Sequence, residues 1–237
     1  MFENKTILIT GGATRLGKGL ALLFAKNNAK TIIIHYNTNI DSAYELQIDL
    51  HELGCHSIII QCDFNKPETI EKMFNDLYTK VSQIDILINN AAIFEKSRLD
   101  NSSVASLNRI MNVNIISPIM CIQYASKVMT NSLVVNISDS TVNTLPVNFA
   151  GHAIAKSTLL TMTDLAVKTY SPNIRINTII AGLIMKSDFD TQWDALIKKT
   201  PLKKSGSVED IFNTIQYLSN TTYVTGATIN VDGGISI

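Results

Sequence analysis

Thr10-Gly11-Gly12-Ala13-Thr14-Arg15-Leu16-Gly17 lies between a short β-branched run and a segment of helical periodicity. Glycines at such a junction let the backbone turn sharply and approach a pyrophosphate, and the free N–H groups opening the next helix stabilise the anion. Glycines elsewhere would mark an ordinary turn; after a first buried strand and before an amphipathic helix they point to nucleotide binding. Asp63, just past the third β-branched run, carries a carboxylate that can accept from an adenine amino group or cap a turn. Asn89-Asn90-Ala91-Ala92 closes the fourth run. It is either a turn after a strand or a set of small and amide side chains at the edge where open parallel sheets bind ligands.

These residues need a scaffold, and its pattern runs along the chain. Strands are expected over 6–10, 31–36, 57–61, 85–89, 133–137, 174–180 and 228–231. Helices are expected over 15–27, 42–53, 68–81, 103–128, 153–170, 191–198 and 208–218. Gly54 suits a left-handed helix C-cap and Pro67 a first helical turn. This alternation is the signature of a parallel sheet covered on both faces. Right-handed crossovers then leave an α/β, Rossmann-type doubly wound sheet of about seven parallel strands, with helices on both faces. No repeat or long linker interrupts it, so residues 1–237 read as a single domain.

Composition narrows the function classes. With 46% hydrophobic and 17% charged residues the chain can bury a sizeable core. Twenty basic and twenty acidic residues cancel, so the positive field of a nucleic-acid binder is missing and phosphate must be bound locally. No apolar run reaches signal-peptide or membrane-span length. Three cysteines without CxxC spacing argue against a disulfide framework or zinc site and fit a reducing cytoplasm. Four scattered histidines give no metal-ligand pattern.

Taken together the motifs resemble the short-chain dehydrogenase/reductase family. The resemblance continues through Asn114, through Lys156 of a degenerate YxxxK, through Ala181-Gly182 in place of Pro-Gly, and through Val224-Thr225-Gly226 and Val231-Asp232-Gly233-Gly234. Within the family, four details look like the pteridine reductase and dihydromonapterin reductase branch. Arg15 replaces the second motif glycine, Asp139 stands thirteen residues before the tyrosine slot, Phe94 follows Asn90-Ala91, and Trp193 precedes Pro201-Leu202 by eight. Ala92 departs from that branch, where a serine is common.

The resemblance implies cofactor contacts from Gly11, Arg15, Leu16, Gly17, Tyr36, Asn37, Thr38, Asp63, Asn90, Ala91, Lys156 and Gly182. It implies catalytic roles for Asn114, Asp139, His152 and Lys156, and substrate contacts from Arg15, Phe94, Asp139 and Trp193. NADP(H) is expected over NAD(H), because 35–38 (HYNT) has no acid to hold a ribose hydroxyl, although it has no arginine for a phosphate either. A homotetramer built on the helices around 103–128 and 153–170 is also implied, with a small-molecule substrate, no nucleic acid, no membrane and no metal.

His152 occupies the tyrosine slot. Neutral imidazole is a very weak acid, so useful proton donation starts from imidazolium. Lys156 and an oxidised nicotinamide disfavour a further positive charge, whereas a neighbouring carboxylate favours it. The expectation is that Asp139 lies beside His152, that the two jointly deliver a proton, and that Lys156 holds the nicotinamide ribose. The implied activity is hydride transfer from NAD(P)H to a small planar substrate, a pterin or dihydrofolate first. A 3-oxoacyl or other carbonyl reductase is the alternative, and a cofactor-binding protein with lost catalysis a further one.

Overall fold

Ile7 and Ile9 of β1 (Thr6–Ile9) belong to one apolar layer and Leu8 to the other, and all three are fully buried. Strands covered on both faces read as unbroken apolar runs, and for this reason the runs were visible in the sequence. The computed structural model describes residues 2–186 and 192–237. Six more strands follow: β2 (Thr31–Tyr36), β3 (His56–Gln61), β4 (Ile86–Asn89), β5 (Ser132–Asp139), β6 (Ile174–Ala181) and β7 (Thr228–Val231). All pairs are parallel, in the order β3-β2-β1-β4-β5-β6-β7. The chain moves outward from β1 to β3 and then returns to place β4 on the other side of β1. The glycine turn after β1 therefore opens at the point where strand order reverses, the crevice in which open α/β sheets bind ligands.

Helices α1 (Arg15–Lys26), α2 (Ile40–Glu52) and α9 (Val208–Asn220) cover one face through Leu20, Phe24, Leu46, Phe212 and Ile215. Helices α3 (Ile70–Tyr78), α5 (Ser117–Ala125) and α7 (Ala150–Tyr170) cover the other through Phe74, Leu77, Ile122 and Ala166. The doubly wound Rossmann-type fold expected from the alternation is the one observed. Among the described residues no helix is long and apolar enough to cross a membrane, and the three cysteines are free and buried.

Several boundaries differ from expectation for local reasons. The continuous helix expected over 103–128 is α4 (Val104–Met111), a π turn at Asn112–Ile116, α5, and a 3-10 turn at Ser126–Val128. Pro118 has no N–H to return to the Asn114 carbonyl, so the helical ladder widens there, and the Asn114 side chain turns to a neighbouring loop. Residues 68–81 begin as a 3-10 turn at Pro67–Thr69 and end their α-helix at Tyr78. Asn39 accepts from the Ser42 backbone N–H at 3.1 Å and starts α2 earlier than expected. β5 runs past residue 137 to Asp139, α6 (Thr141–Thr144) was not anticipated, and α7 starts at Ala150. The short helix expected over 191–198 is α8 (Trp193–Lys199), and Thr191 lies outside the described residues.

Candidate active site

The turn after β1 is built by close backbone approach. Gly11 has φ +60°, and a Cβ on Gly17 would stand 2.2 Å from the Gly11 carbonyl oxygen, so only glycine fits where α1 crosses the loop. Asn90 holds the turn from β4: its Nδ2 donates to the Thr10 oxygen at 2.9 Å and the Gly11 oxygen at 3.2 Å. His35 holds it from β2. The Gly11 N–H donates to His35 Nδ1 at 3.1 Å, and the other ring nitrogen meets the Cys62 carbonyl at 3.0 Å. Burial pushes His35 down from 6.5 to about 4, the Cys62 hydrogen bond offsetting part of this, so the ring is neutral with its proton on Nε2. It stacks on Phe64 with centroids 4.0 Å apart.

Of the residues expected to meet a cofactor, Gly11, Arg15, Leu16, Tyr36, Asn37, Thr38, Asn90 and Ala91 line one cleft of about 410 Å³. Thr14, the N-cap of α1, makes no side-chain cap bond, and the first turn holds no acid, so the helix start offers free N–H groups to an anion. Gly17 lies beneath the turn. Gly182 serves a different approach, since a Cβ there would come within 2.5 Å of the Asp232 Cα. Asp63 follows the capping alternative, because its Oδ1 accepts from the Asn65 N–H at 3.0 Å.

At the same sheet edge β5 ends in Asp139, paired in register with Ala181, and His152 sits in the first turn of α7. Asp139 Oδ2 lies 2.6 Å from His152 Nε2, while Oδ1 accepts from the Thr141 N–H at 2.9 Å and from the Thr141 hydroxyl. His152 Nδ1 stands 3.0 Å from the Ile93 carbonyl oxygen. Nε2 thus faces the carboxylate, while Nδ1 faces both the Ile93 carbonyl and, at 3.3 Å, the Asn114 amide nitrogen. Burial would raise Asp139, but the His152 hydrogen bond, the Lys156 and His152 charges and the Thr141 contact together hold it well below the usual carboxylate range. Lys156 donates to the Ile137 carbonyl at 2.7 Å; burial lowers it and Asp139 partly restores it.

The expected neighbours Asp139 and His152 are therefore within hydrogen-bond distance. The His152 side chain is 2% exposed and that of Asp139 31%, so the carboxylate is the more accessible of the two. Burial of α7's first turn against Ile93 draws the ring inward. Asn114, expected beside the catalytic group, accepts from Ile93 N–H at 2.9 Å, donates to Ile93 O at 3.1 Å, and lies 3.3 Å from His152 Nδ1. It clamps the loop after β4 that orients the imidazole.

Phe94 stacks on Phe149 at 4.1 Å and meets the His152 ring edge-on at 4.7 Å, leaving 56% of the residue exposed as a wall beside the pair. Trp193 is half-buried at the start of α8, and among the described residues it makes no ring contact with Phe94. Arg15 reaches across the crevice, Nη2 donating to the Met185 carbonyl at 3.0 Å. The roles of His35 and Ile93 rest on contacts that no local pattern encodes, whereas Thr141 serves Asp139 from two residues on, a local turn contact that the spacing Asp139-Ser140-Thr141 carries. No group of three or more metal-ligating side chains gathers among the described residues.

Residues 11–236 match a family model described as enoyl-(acyl carrier protein) reductase. Over 240 residues the chain is 26% identical to carbonyl reductase family member 4 of Xenopus laevis, covering 99% of each. Over 243 residues it is 25% identical to the 3-oxoacyl-acyl-carrier-protein reductase FabG of Staphylococcus epidermidis, covering 98% of this chain and 99% of that one. Among solved structures, FolM alternative dihydrofolate reductase 1 of Brucella canis, complexed with NADP, superposes with a TM-score of 0.92 at 25% identity. That match covers 100% of this chain and 95% of the FolM chain. With a family model spanning nearly its whole length and this sheet order, the chain belongs to the short-chain dehydrogenase/reductase family.

Proposed function

We propose that the protein is a nicotinamide-dependent reductase acting on a small planar heterocycle, with a pterin or dihydrofolate-type compound as its first substrate. The observation that carries this reading is the Asp139–His152 pair, 2.6 Å apart, at the sheet edge that also holds the uncapped start of α1. The turn fits a pyrophosphate through the start of α1, where Thr14 makes no side-chain cap bond and the first turn carries no acid. Reduced nicotinamide, when bound, supplies hydride. Lys156 holds its ribose, and Tyr36, Asn37 and Thr38 receive the adenosine end. NADP(H) is preferred because no acid ends β2, and the FolM relative in complex with NADP supports this.

Asp139 and His152, 2.6 Å apart, together pass a proton to the substrate. Phe94 gives a planar ring a face to lie against. The FolM relative, named as an alternative dihydrofolate reductase, supports the pterin class, whereas FabG and the carbonyl reductase relative favour carbonyl substrates. A homotetramer belongs to the same proposal. Leu99, Leu145, Val147 and Ile154 rim an apolar cavity of about 600 Å³ on the outer side of α7, and Leu165 is exposed further along that helix.

The test mixes protein, NADPH and a dihydropterin and follows nicotinamide absorbance. Oxidation that depends on the dihydropterin supports the reading. Cofactor binding without oxidation, across pterin and carbonyl substrates, overturns it in favour of a non-catalytic binder.

A further inference from the structure

Helix α7 begins at Ala150 with Phe149 in its N-cap position, a residue with no side-chain acceptor for the free N–H groups of the first turn. Ser, Thr, Asp or Asn usually supplies that acceptor, bonding the second or third helical amide. Here it arrives from 54 residues away: Ser97 Oγ accepts from the Gly151 N–H at 3.1 Å, and the Ser97 carbonyl accepts from the same N–H at 3.2 Å. The Ser97 N–H donates to the Asn148 carbonyl at 2.8 Å, so the two segments join as a short parallel bridge between Ser97 and Phe149. Ser97 is 2% exposed, and its hydroxyl donates to the Glu95 carbonyl at 3.2 Å, so its donor and acceptor roles are both filled.

The N-cap position is thereby left to an aromatic ring. Phe149 stacks on Phe94 with 16° between the planes, and Phe94 meets the His152 ring edge-on. Phe94 lies three residues before Ser97, and His152 directly follows Gly151. The Gly151 amide and the Ser97 hydroxyl thus join the aromatic wall to the helical turn that carries the imidazole. The loop is fixed on either side of Phe94, at Ile93 by the Asn114 side chain and at Glu95 by Arg109, whose Nε donates to Oε1 at 2.9 Å. The contact is close: a Cβ on Gly151 would stand 3.0 Å from Ser97 Oγ.

We propose that Ser97 is a positioning residue of the site: it caps α7 in place of Phe149 and so sets the gap between the Phe94 ring and the Asp139–His152 pair, where a planar substrate lies. The substrate half of this rests on the reductase reading above, and the cap on the hydrogen bonds alone. Ser97 itself lies outside the cofactor cleft and acts through Phe94 and His152.

Ser97→Ala removes the hydroxyl and Ser97→Thr keeps it. With NADPH and dihydrobiopterin, Ser97→Ala should lower the single-turnover rate of hydride transfer about tenfold or more, since small displacements of reacting groups are costly. NADPH affinity by calorimetry should stay within about twofold, and Ser97→Thr should retain most of the rate. Phe94→Leu should cost less in the Ser97→Ala background than in wild type, by about threefold or more, because the wall is already displaced; a merely structural loss would add to it instead. Two readouts need no turnover. In histidine-labelled protein the His152 ring signal should move in Ser97→Ala while the His35 signal stays, and in wild type the Gly151 amide should exchange about tenfold or more slowly than an unbonded amide. Additive losses, an unmoved His152 signal or a Gly151 amide exchanging at the unprotected rate each overturns the proposal, and the last is read in wild type even where the variant folds poorly. If wild type oxidises no NADPH with pterin or carbonyl substrates while the His152 and Gly151 results hold, the cap and its hold on the Phe94–His152 gap stand and the reductase reading fails.

Discussion

His35 links the glycine turn to acid stability, and the size of the effect follows from its environment. Its Nδ1 accepts from Gly11, its Nε2 donates to Cys62, and burial depresses it from 6.5 to about 4. The unfolded chain takes up this proton first, so the stability His35 contributes is complete above about pH 6.5 and is lost as pH falls towards about 4. That gap corresponds to about 3 kcal/mol. Protonation would set an N–H against the Gly11 N–H, so the loss includes the brace on the turn. His35→Asn keeps an acceptor for Gly11 and has no proton to take. Urea unfolding of both proteins between about pH 7 and about pH 4 measures the difference, since other groups titrate alike in each. Wild type should lose about 3 kcal/mol more than the variant across that range. Parallel pH dependences would refute the reasoning.

Asp139→Asn should lower the rate of hydride transfer by about a hundredfold or more, measured in single turnover, because the variant cannot relay a proton. Gly17→Ala sets a methyl 2.2 Å from the Gly11 oxygen; thermal unfolding should show a loss of at least about 2 kcal/mol, and calorimetry a weakened cofactor. Lys156→Met removes a charge that helps hold Asp139 low, so the carboxyl should titrate at higher pH, read by carbon NMR of the labelled aspartate.

How much of this was legible depended on the range of the contacts involved. The glycine turn was readable because strand, turn and helix start are contiguous at residues 6–17, and the seven strands because burial on both faces leaves unbroken apolar runs. The pairing of Asp139 with His152 was readable as an expectation only through the resemblance, whose serine and tyrosine slots they occupy, and the extension of β5 and early start of α7 bring it about. Which of the two is the more exposed was not readable. That order comes from Ile93, whose carbonyl 59 residues away draws the imidazole inward. The brace at His35 likewise joins residues 24 and 27 positions apart. The break at Asn112–Ile116 was hidden because the apolar periodicity runs straight through it, while its causes are a missing proline N–H and a side chain bonded elsewhere.

The central claim is that the Asp139–His152 pair delivers the proton accompanying hydride transfer. Single-turnover rates with NADPH and a neutral dihydropterin, measured from about pH 5 to about pH 9 with deuterated cofactor to show that hydride transfer limits, test it most directly. The account predicts a rate that falls with rising pH, and a fall that Asp139→Asn abolishes. A rate that stays level across that range, with the full isotope effect present, would contradict it.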